Sequence, residues 1–163
     1  MAVAEIIGSA IGAMILIIVA YLLVGNVLTT AEVVSSAQRE LTLQGEMRLH
    51  TDLTITNVNV TGTVINMTVS NTGNEIISDF PHTNVFLYSD GSPGYRVFIY
   101  NETEPATPNP GSWTKSILND FVHPGELDPG ETMFVNAYTD STPLRFNVVI
   151  CTNNGVYAST VVY

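Results

Sequence analysis

A run of 26 residues without a charged side chain, residues 6–31, constrains this chain of 163 residues more than any other feature. The hydrocarbon core of a bilayer takes roughly 20 apolar residues in helical form, so the run is long enough to span one. It differs from a secretory signal peptide because no Lys or Arg precedes it, and because it exceeds the roughly 7–15 apolar residues of such a signal. The run predicts a hydrophobic anchor at the start of the chain.

The helical pattern continues beyond the apolar run. Charged and apolar side chains interleave there at helical spacing: Glu32, Glu40 and Glu46 among Val34, Ala37, Leu41 and Leu49. No proline occurs before Pro81. The sequence therefore predicts one helix from about residue 4 to about residue 49, which at about 1.5 Å per residue is roughly 70 Å long. Its second half must stand clear of the membrane or lie within an assembly.

The rest of the chain alternates apolar and polar residues as strands do. The predicted strands are 53–56, 65–69, 85–88, 95–100, 133–138, 144–148, 148–151 and 156–162. Turn sequences separate them, and Asn154-Gly155 predicts a two-residue type I′ hairpin. Residues 101–131 hold five of the eight prolines and predict a long surface loop with at most one short strand. The expected fold class is α+β: a hydrophobic α-helix (1–50) followed by an antiparallel Ig-like β-sandwich (51–163).

The balance of charge excludes some functions. The chain has 5 basic and 15 acidic residues and a net charge of -10, whereas a nucleic-acid-binding protein needs clustered cations. From residue 52 onward there are 11 acidic and three basic residues, so the sandwich is acidic. A single cysteine leaves no disulfide framework and no multi-cysteine metal site.

Few residues have the spacing that catalysis or metal binding requires. The three histidines lie far apart in the sequence: His50, His82 and His123. Cys151 is expected to be a small buried residue in a strand. Glu126, Asp128 and Glu131 surround a Pro-Gly turn and form either a Ca²⁺ site with backbone carbonyls or an ordinary acidic turn. With no phosphate-binding loop, nucleophile elbow or paired-carboxylate motif, we expect no enzyme, no cofactor and no metal.

Two further features concern assembly and export. Glu5 stands alone at the head of the apolar run. It is either an interfacial charge that suits the positive end of a helix or a buried partner for the terminal amine of a neighbouring chain. Sequons for N-glycosylation begin at Asn59, Asn66 and Asn101, and beside an anchored domain they favour an exported, glycosylated surface.

The order of these features resembles the type IV pilin superfamily, and within it the archaeal archaellins and the archaellum proteins F and G. The resemblance rests on Met-Ala-Val-Ala-Glu-Ile-Ile-Gly at residues 1–8 ahead of the long helix, on the Asn-Thr-Gly turn within residues 69–80, on the Pro-Gly-Glu turn within 127–131, and on residues 146–156. It implies an N-in, C-out topology, helices that bundle into a filament core, a sandwich on the outer surface, and a role for Glu5 in registering subunits. Such proteins carry a short basic leader, and none precedes Met1, so we expect either a mature subunit or an accessory protein that keeps its N-terminus.

The resemblance implies a non-enzymatic subunit of an archaeal pilus-like or archaellum filament, located on the cell surface or outside the cell and serving motility or adhesion. The chain would pass through the membrane and then form a homo-oligomer through its helices. The residues expected at the assembly contacts are Glu5, Ile6, Gly8, Gly12, Ile15, Ile18 and Leu22. The alternative is a membrane-anchored stator of the protein F or G type whose sandwich binds the surface layer. A surface enzyme or solute-binding domain is a third class.

Overall fold

The first element of the predicted architecture is one uninterrupted helix. The structure, a computed structural model, describes residues 2–103 and 109–163. Helix α1 spans Ala2–His50, which confirms the predicted helix and extends it slightly at both ends. Glu5 in its first turn and Arg48 and His50 in its last turn suit the helix dipole. The chain divides into two compact units, Met1–Gln44 and Gly45–Tyr163, so the last turns of α1 belong to the same unit as the strands.

Eight strands follow the helix. Their bounds are β1 Leu53–Thr61, β2 Val64–Asn71, β3 Asn84–Ser89, β4 Tyr95–Tyr100, β5 Ser112–Leu118, β6 Thr132–Tyr138, β7 Phe146–Cys151 and β8 Tyr157–Val162. They are hydrogen-bonded in the order β1-β2-β6-β5-β4-β3-β7-β8. The two ends of this order, β1 and β8, lie beside each other. The result is a nearly closed sandwich, and the predicted α+β class is confirmed.

The sandwich is mixed rather than wholly antiparallel, which corrects one detail of the prediction. Strand β4 pairs antiparallel with β3 along residues 95–98, and its last two residues, Ile99 and Tyr100, pair in parallel with Ser112 and Trp113 of β5. A parallel neighbour normally needs a long crossover. Here β5 begins level with the end of β4, so the connecting chain need not return along the length of a strand.

Strand β5 itself lies inside the proline-rich segment that was predicted to hold at most one short strand. Its side chains Trp113, Lys115 and Ile117 share the face that pairs with inward positions of β6. The lysine interrupts the apolar alternation that would have marked the strand. Its ammonium group is accommodated at the edge of the core, where Nζ lies 4.2 Å from the ring centroid of Phe80 and donates to the carbonyl oxygen of Gly125 at 2.8 Å.

The core fills the space between the two halves of the sandwich. Its largest fully buried side chains come from six of the strands and one loop: Trp113, Phe98, Ile65, Met67, Leu87, Leu127, Met133 and Ile150. Tyr100 joins this core from its edge, with its ring centroid 4.9 Å from that of Trp113. A core drawn from strands far apart in sequence holds the unit together.

The β7–β8 hairpin is confirmed, but its two-residue turn is wrong. Cys151 pairs with Tyr157, so five residues form the connection. Thr152 closes it by donating its backbone N–H to the carbonyl oxygen of Val156. Only Gly155 has a positive φ in this connection, whereas a type I′ turn needs two such residues. Cys151 is half-buried on the outer face, not fully buried as expected.

Candidate assembly surface

The apolar part of α1 has the length of a membrane span. Between Glu5 and Asn26 lie 20 residues without a charged or amide side chain, which as a helix measure about 30 Å. The helix is long and apolar enough to cross a membrane by length and composition. None of its described side chains is buried within the chain. This surface therefore requires lipid or other helices around it.

The serine and threonine hydroxyl groups within residues 6–31 are already hydrogen-bonded. Ser9 donates to the carbonyl oxygen of Ile6 at 2.9 Å, Thr29 to that of Gly25 at 3.0 Å, and Thr30 to that of Asn26 at 2.8 Å. Such bonds to the preceding turn satisfy a polar side chain without a partner on another chain. These three residues therefore do not oppose burial of the segment among apolar neighbours.

The residues predicted to mediate assembly do not share one face. At about 100° per residue, Ile6 and Ile15 point to opposite sides of α1. Gly8 and Gly12 lie one turn apart, and a Cβ atom at either position would meet nothing within 4 Å. Ile18 and Leu22 are both exposed, as their neighbours are. The whole circumference is apolar, so several neighbours must surround the helix if it leaves lipid.

One side chain in the segment was missed by the sequence reasoning. Asn26 is exposed, and its amide has no hydrogen-bond partner among the residues that the structure describes. Glu5 is in the same situation at the other end of the apolar span. An inventory of polar side chains within the uncharged run would have found Asn26. Unsatisfied polar groups at fixed positions on an apolar helix select partners that satisfy them.

The Asn-Thr-Gly turn caps the end of α1 within the compact unit 45–163. The carbonyl oxygen of His50 accepts from the backbone N–H of Asn74 at 2.7 Å. The carbonyl oxygen of Asp52 accepts from the N–H groups of Thr72 at 3.0 Å and Gly73 at 3.1 Å. The bond to His50 satisfies a carbonyl that the helix end otherwise leaves unpaired, and the two bonds to Asp52 hold the chain directly after the helix. The Asn-Thr-Gly turn, one of the motifs behind the family resemblance, thus connects the helix end to the end of β2 through backbone hydrogen bonds.

A second bond holds the same junction from the β7–β8 connection. Asn154 donates from Nδ2 to the Oγ1 atom of buried Thr51 at 2.7 Å, and Thr51 donates from Oγ1 to the carbonyl oxygen of Met47 at 2.7 Å. The Asn-Gly sequence thus contacts the helix end as well as forming the hairpin. Both turn motifs therefore serve the helix junction.

The three predicted sequons occupy two places. Asn59 and Asn66 are direct cross-strand partners on β1 and β2. Asn66 donates from Nδ2 to Oγ1 of Thr61 at 3.4 Å. Asn101 directly follows β4, where its Oδ1 accepts from the N–H of Thr103 at 3.4 Å. Asn59 is exposed, while Asn66 and Asn101 are half-buried.

The acidic turn before β6 is organised around hydrogen bonds of its own. Nδ1 of His123 lies 2.8 Å from Oδ1 of Asp128, and Oε2 of Glu131 accepts from the N–H of Asp128 at 3.0 Å. The hydrogen bond to Asp128 and its charge raise the pKa of His123 above the usual value. Within residues 2–103 and 109–163, no three His, Cys, Asp or Glu side chains are grouped so that they could hold a metal ion.

Solved structures share this fold. Flagellin FlaB1 of Methanocaldococcus jannaschii is 13% identical with a TM-score of 0.54, over 68% of this chain and 88% of its own. The archaellum periplasmic stator protein FlaG of Sulfolobus acidocaldarius is 21% identical with a TM-score of 0.50, over 69% of this chain and 99% of its own. The chain has the fold of archaellum proteins. The predicted resemblance is confirmed at the level of the fold.

The sequence similarity to one relative extends into helix α1. An uncharacterised protein of Archaeoglobus fulgidus is 25% identical over 144 residues, which cover 87% of this chain and 84% of the relative. Residues 51–163 make up only 113 of the 163 positions, so that similarity includes part of α1. No protein-family model matches the chain.

Proposed function

We propose that this protein is a structural subunit of an archaellum or pilus-like filament, assembled through its N-terminal helices. The observation that carries the proposal is the apolar surface of residues 6–25, which is exposed around the whole helix within the single chain. A bundle of like helices can replace lipid around such a surface, because each apolar helix supplies what its neighbours need. The fold shared with a flagellin supports this function.

The length of α1 supports the same proposal. Helix α1 has 49 residues, and at about 1.5 Å per residue it is more than twice as long as the membrane span requires. Its second half bears Glu32, Arg39, Glu40, Glu46 and Arg48 and so is not suited to hydrocarbon. A simple anchor has no use for this second half, whereas a filament core built of long helices does.

In this function the chain acts without catalysis, enters the membrane before assembly, and then presents its acidic sandwich at the outside of the cell. Glu5 and Asn26 would register neighbouring helices, because each lacks a partner within the described chain. Glycans on Asn59, Asn66 or Asn101 would coat the sandwich. Mass spectrometry of glycopeptides from the native protein tests that coat directly.

The test of the function is the composition of filaments sheared from the source cells. We expect the chain as a dominant species in sheared filaments, and we expect Ile15→Asp to remove it from them. One aspartate at a helix centre costs about 3 kcal/mol on insertion scales, which the remaining apolar residues offset. The variant should therefore stay in the membrane fraction, and Ile15→Val serves as the matched apolar control. Filaments that still incorporate Ile15→Asp would refute the proposal.

The second candidate function is a membrane-anchored stator that binds the surface layer, and the fold shared with a stator protein over 99% of that chain favours it. The chain would then occur in the membrane fraction and be absent from sheared filaments. The separate unit 45–163, which holds the core, would bind surface-layer protein. These two outcomes separate the stator from the filament subunit.

A further inference from the structure

The outer face of one half of the sandwich carries aromatic, aliphatic and uncharged polar side chains and no charged one. It is formed by alternate residues of β4, β3, β7 and β8, which the strand register places in one layer. We call this layer the apolar face. Its members are Tyr95, Val97, Ile99, Asn84, Phe86, Tyr88, Asn147, Val149, Cys151, Tyr157, Ser159 and Val161. We propose that the apolar face binds the same face of a second copy of the chain.

No member of the apolar face is charged, although the unit 45–163 carries 12 acidic and four basic residues, a net charge of -8. Tyr88 and Tyr95 are direct cross-strand partners at one end of it, and they are 60% and 65% exposed. Ile99 near the other end is 74% exposed. Contiguous exposed apolar surface of this kind marks an interaction site on a soluble domain.

The outer face of the other half of the sandwich has a different, more polar composition. The outer face of β1, β2, β6 and β5 carries mainly hydroxyl and amide side chains. They include Thr54, Asn59, Asn66, Thr68, Ser70, Thr132, Asn136 and Ser116. Two of them are hydrogen-bonded across strands, since Oγ of Ser70 lies 3.0 Å from Oγ1 of Thr132. Water satisfies such a face, whereas the apolar face gains free energy when it is covered.

Charge disfavours a basic partner and permits a second copy at this face. A basic partner would find no carboxylate on the apolar face to pair with, and burial of its cations there would be costly. Two copies of net charge -8 repel each other over most of their surfaces. At the uncharged face they can approach without bringing like charges close together. A two-fold contact then gives each copy the complementary surface it needs.

The available area fits a dimer of ordinary size. Tyr88, Tyr95 and Tyr157 are each 60–65% exposed, and an aromatic side chain buries about 150–250 Å² in full. Together they offer on the order of 300–450 Å². A standard interface buries about 800 Å² per partner, so the tyrosines supply about half and the aliphatic members of the face supply much of the remainder. Tyrosine is also enriched among residues that dominate binding energy.

The experiment is sedimentation equilibrium of the unit 45–163, which lacks the apolar helix, so its result is independent of assembly through the helices. We expect a dimer whose dissociation constant rises at least tenfold in Tyr88→Lys and in Val97→Lys. Tyr88 and Val97 are both exposed, so the fold should tolerate these two substitutions. Each added lysine lowers the net negative charge, so a weaker dimer cannot result from greater overall repulsion.

Matched controls place the same charge on the other face. Thr54 and Ser116 are exposed on that face, so Thr54→Lys and Ser116→Lys should leave the dissociation constant unchanged. Raising NaCl from about 0.05 to 0.5 M should tighten the dimer, because salt screens the repulsion between two acidic domains. A monomer at every concentration, a dimer that the control variants weaken equally, or a monomer that instead binds phosphatidylglycerol vesicles would overturn the proposal.

Discussion

The glycine of the Asn-Thr-Gly turn has no room for a side chain. A Cβ atom on Gly73 would lie 2.4 Å from the backbone N of Asp52 and 2.4 Å from the carbonyl oxygen of His50. Both are backbone atoms, so no side chain can rotate away to relieve the contact. In Gly73→Ala the turn must therefore move by about 1 Å away from the helix end to reach ordinary van der Waals distance.

That movement breaks the bonds that hold the junction. Three backbone hydrogen bonds run between residues 72–74 and the carbonyls of His50 and Asp52, and each contributes about 0.5–1.5 kcal/mol. Alanine also restricts the unfolded chain, which offsets the loss by about 0.4–1 kcal/mol. We therefore expect Gly73→Ala to lower the free energy of unfolding of the unit 45–163 by about 2–3 kcal/mol, or about 10 °C in Tm.

Urea unfolding of the unit 45–163, followed by circular dichroism, measures this effect. The control is Gly45→Ala at the first residue of this unit, where a Cβ meets nothing within 4 Å, and this substitution should change stability by less than about 0.5 kcal/mol. An unchanged urea midpoint in Gly73→Ala would show that the turn is not tied to the helix end. Equal shifts in both variants would point to a general effect of alanine instead.

Two other substitutions test the core and the acidic turn. Trp113→Ala removes a fully buried ring and should cost about 3–5 kcal/mol in the unit 45–163, measured by urea unfolding; a loss below about 1 kcal/mol would contradict the assigned core. The raised pKa of His123 stabilises the fold fully below its unfolded pKa of about 6.5, and this contribution is lost as pH rises through the folded pKa. Urea midpoints of the wild type should therefore fall as pH rises above about 6.5, and His123→Gln should flatten this decline; an unchanged slope would exclude the His123–Asp128 pair as its source.

The helix was predictable because its signal is local and repeated. An uncharged run and the absence of proline before Pro81 leave the first 50 residues few alternatives to a helix. Most strands were predictable for the same reason, since alternation over five or six residues marks a half-buried strand. Strand β5 was obscured because Lys115 occupies an inward position. Its contact with the Phe80 ring and its hydrogen bond to the carbonyl oxygen of Gly125 make that position acceptable.

The pairing of the strands was not predictable. The parallel contact between β4 and β5 depends on where β5 begins relative to Tyr100, and no local pattern encodes that distance. The Asn-Gly sequence predicted the correct hairpin with the wrong turn. Asn154 donates from Nδ2 to Thr51 at the helix end, 103 positions away, and its Oδ1 accepts from the N–H of Val156 within the turn. Local propensity carries no information about the first of these contacts.

The sequence by itself determined that this chain has an apolar helix and an acidic β domain, because the charge distribution and the alternation of side chains follow from composition and order alone. Tertiary structure decided which faces are left uncovered. The apolar face draws its residues from four strands between positions 84 and 161, and each strand read separately shows only ordinary alternation. Only the register that sets these strands side by side joins their outward residues into one uncharged surface, because burial and exposure are properties of neighbours in space.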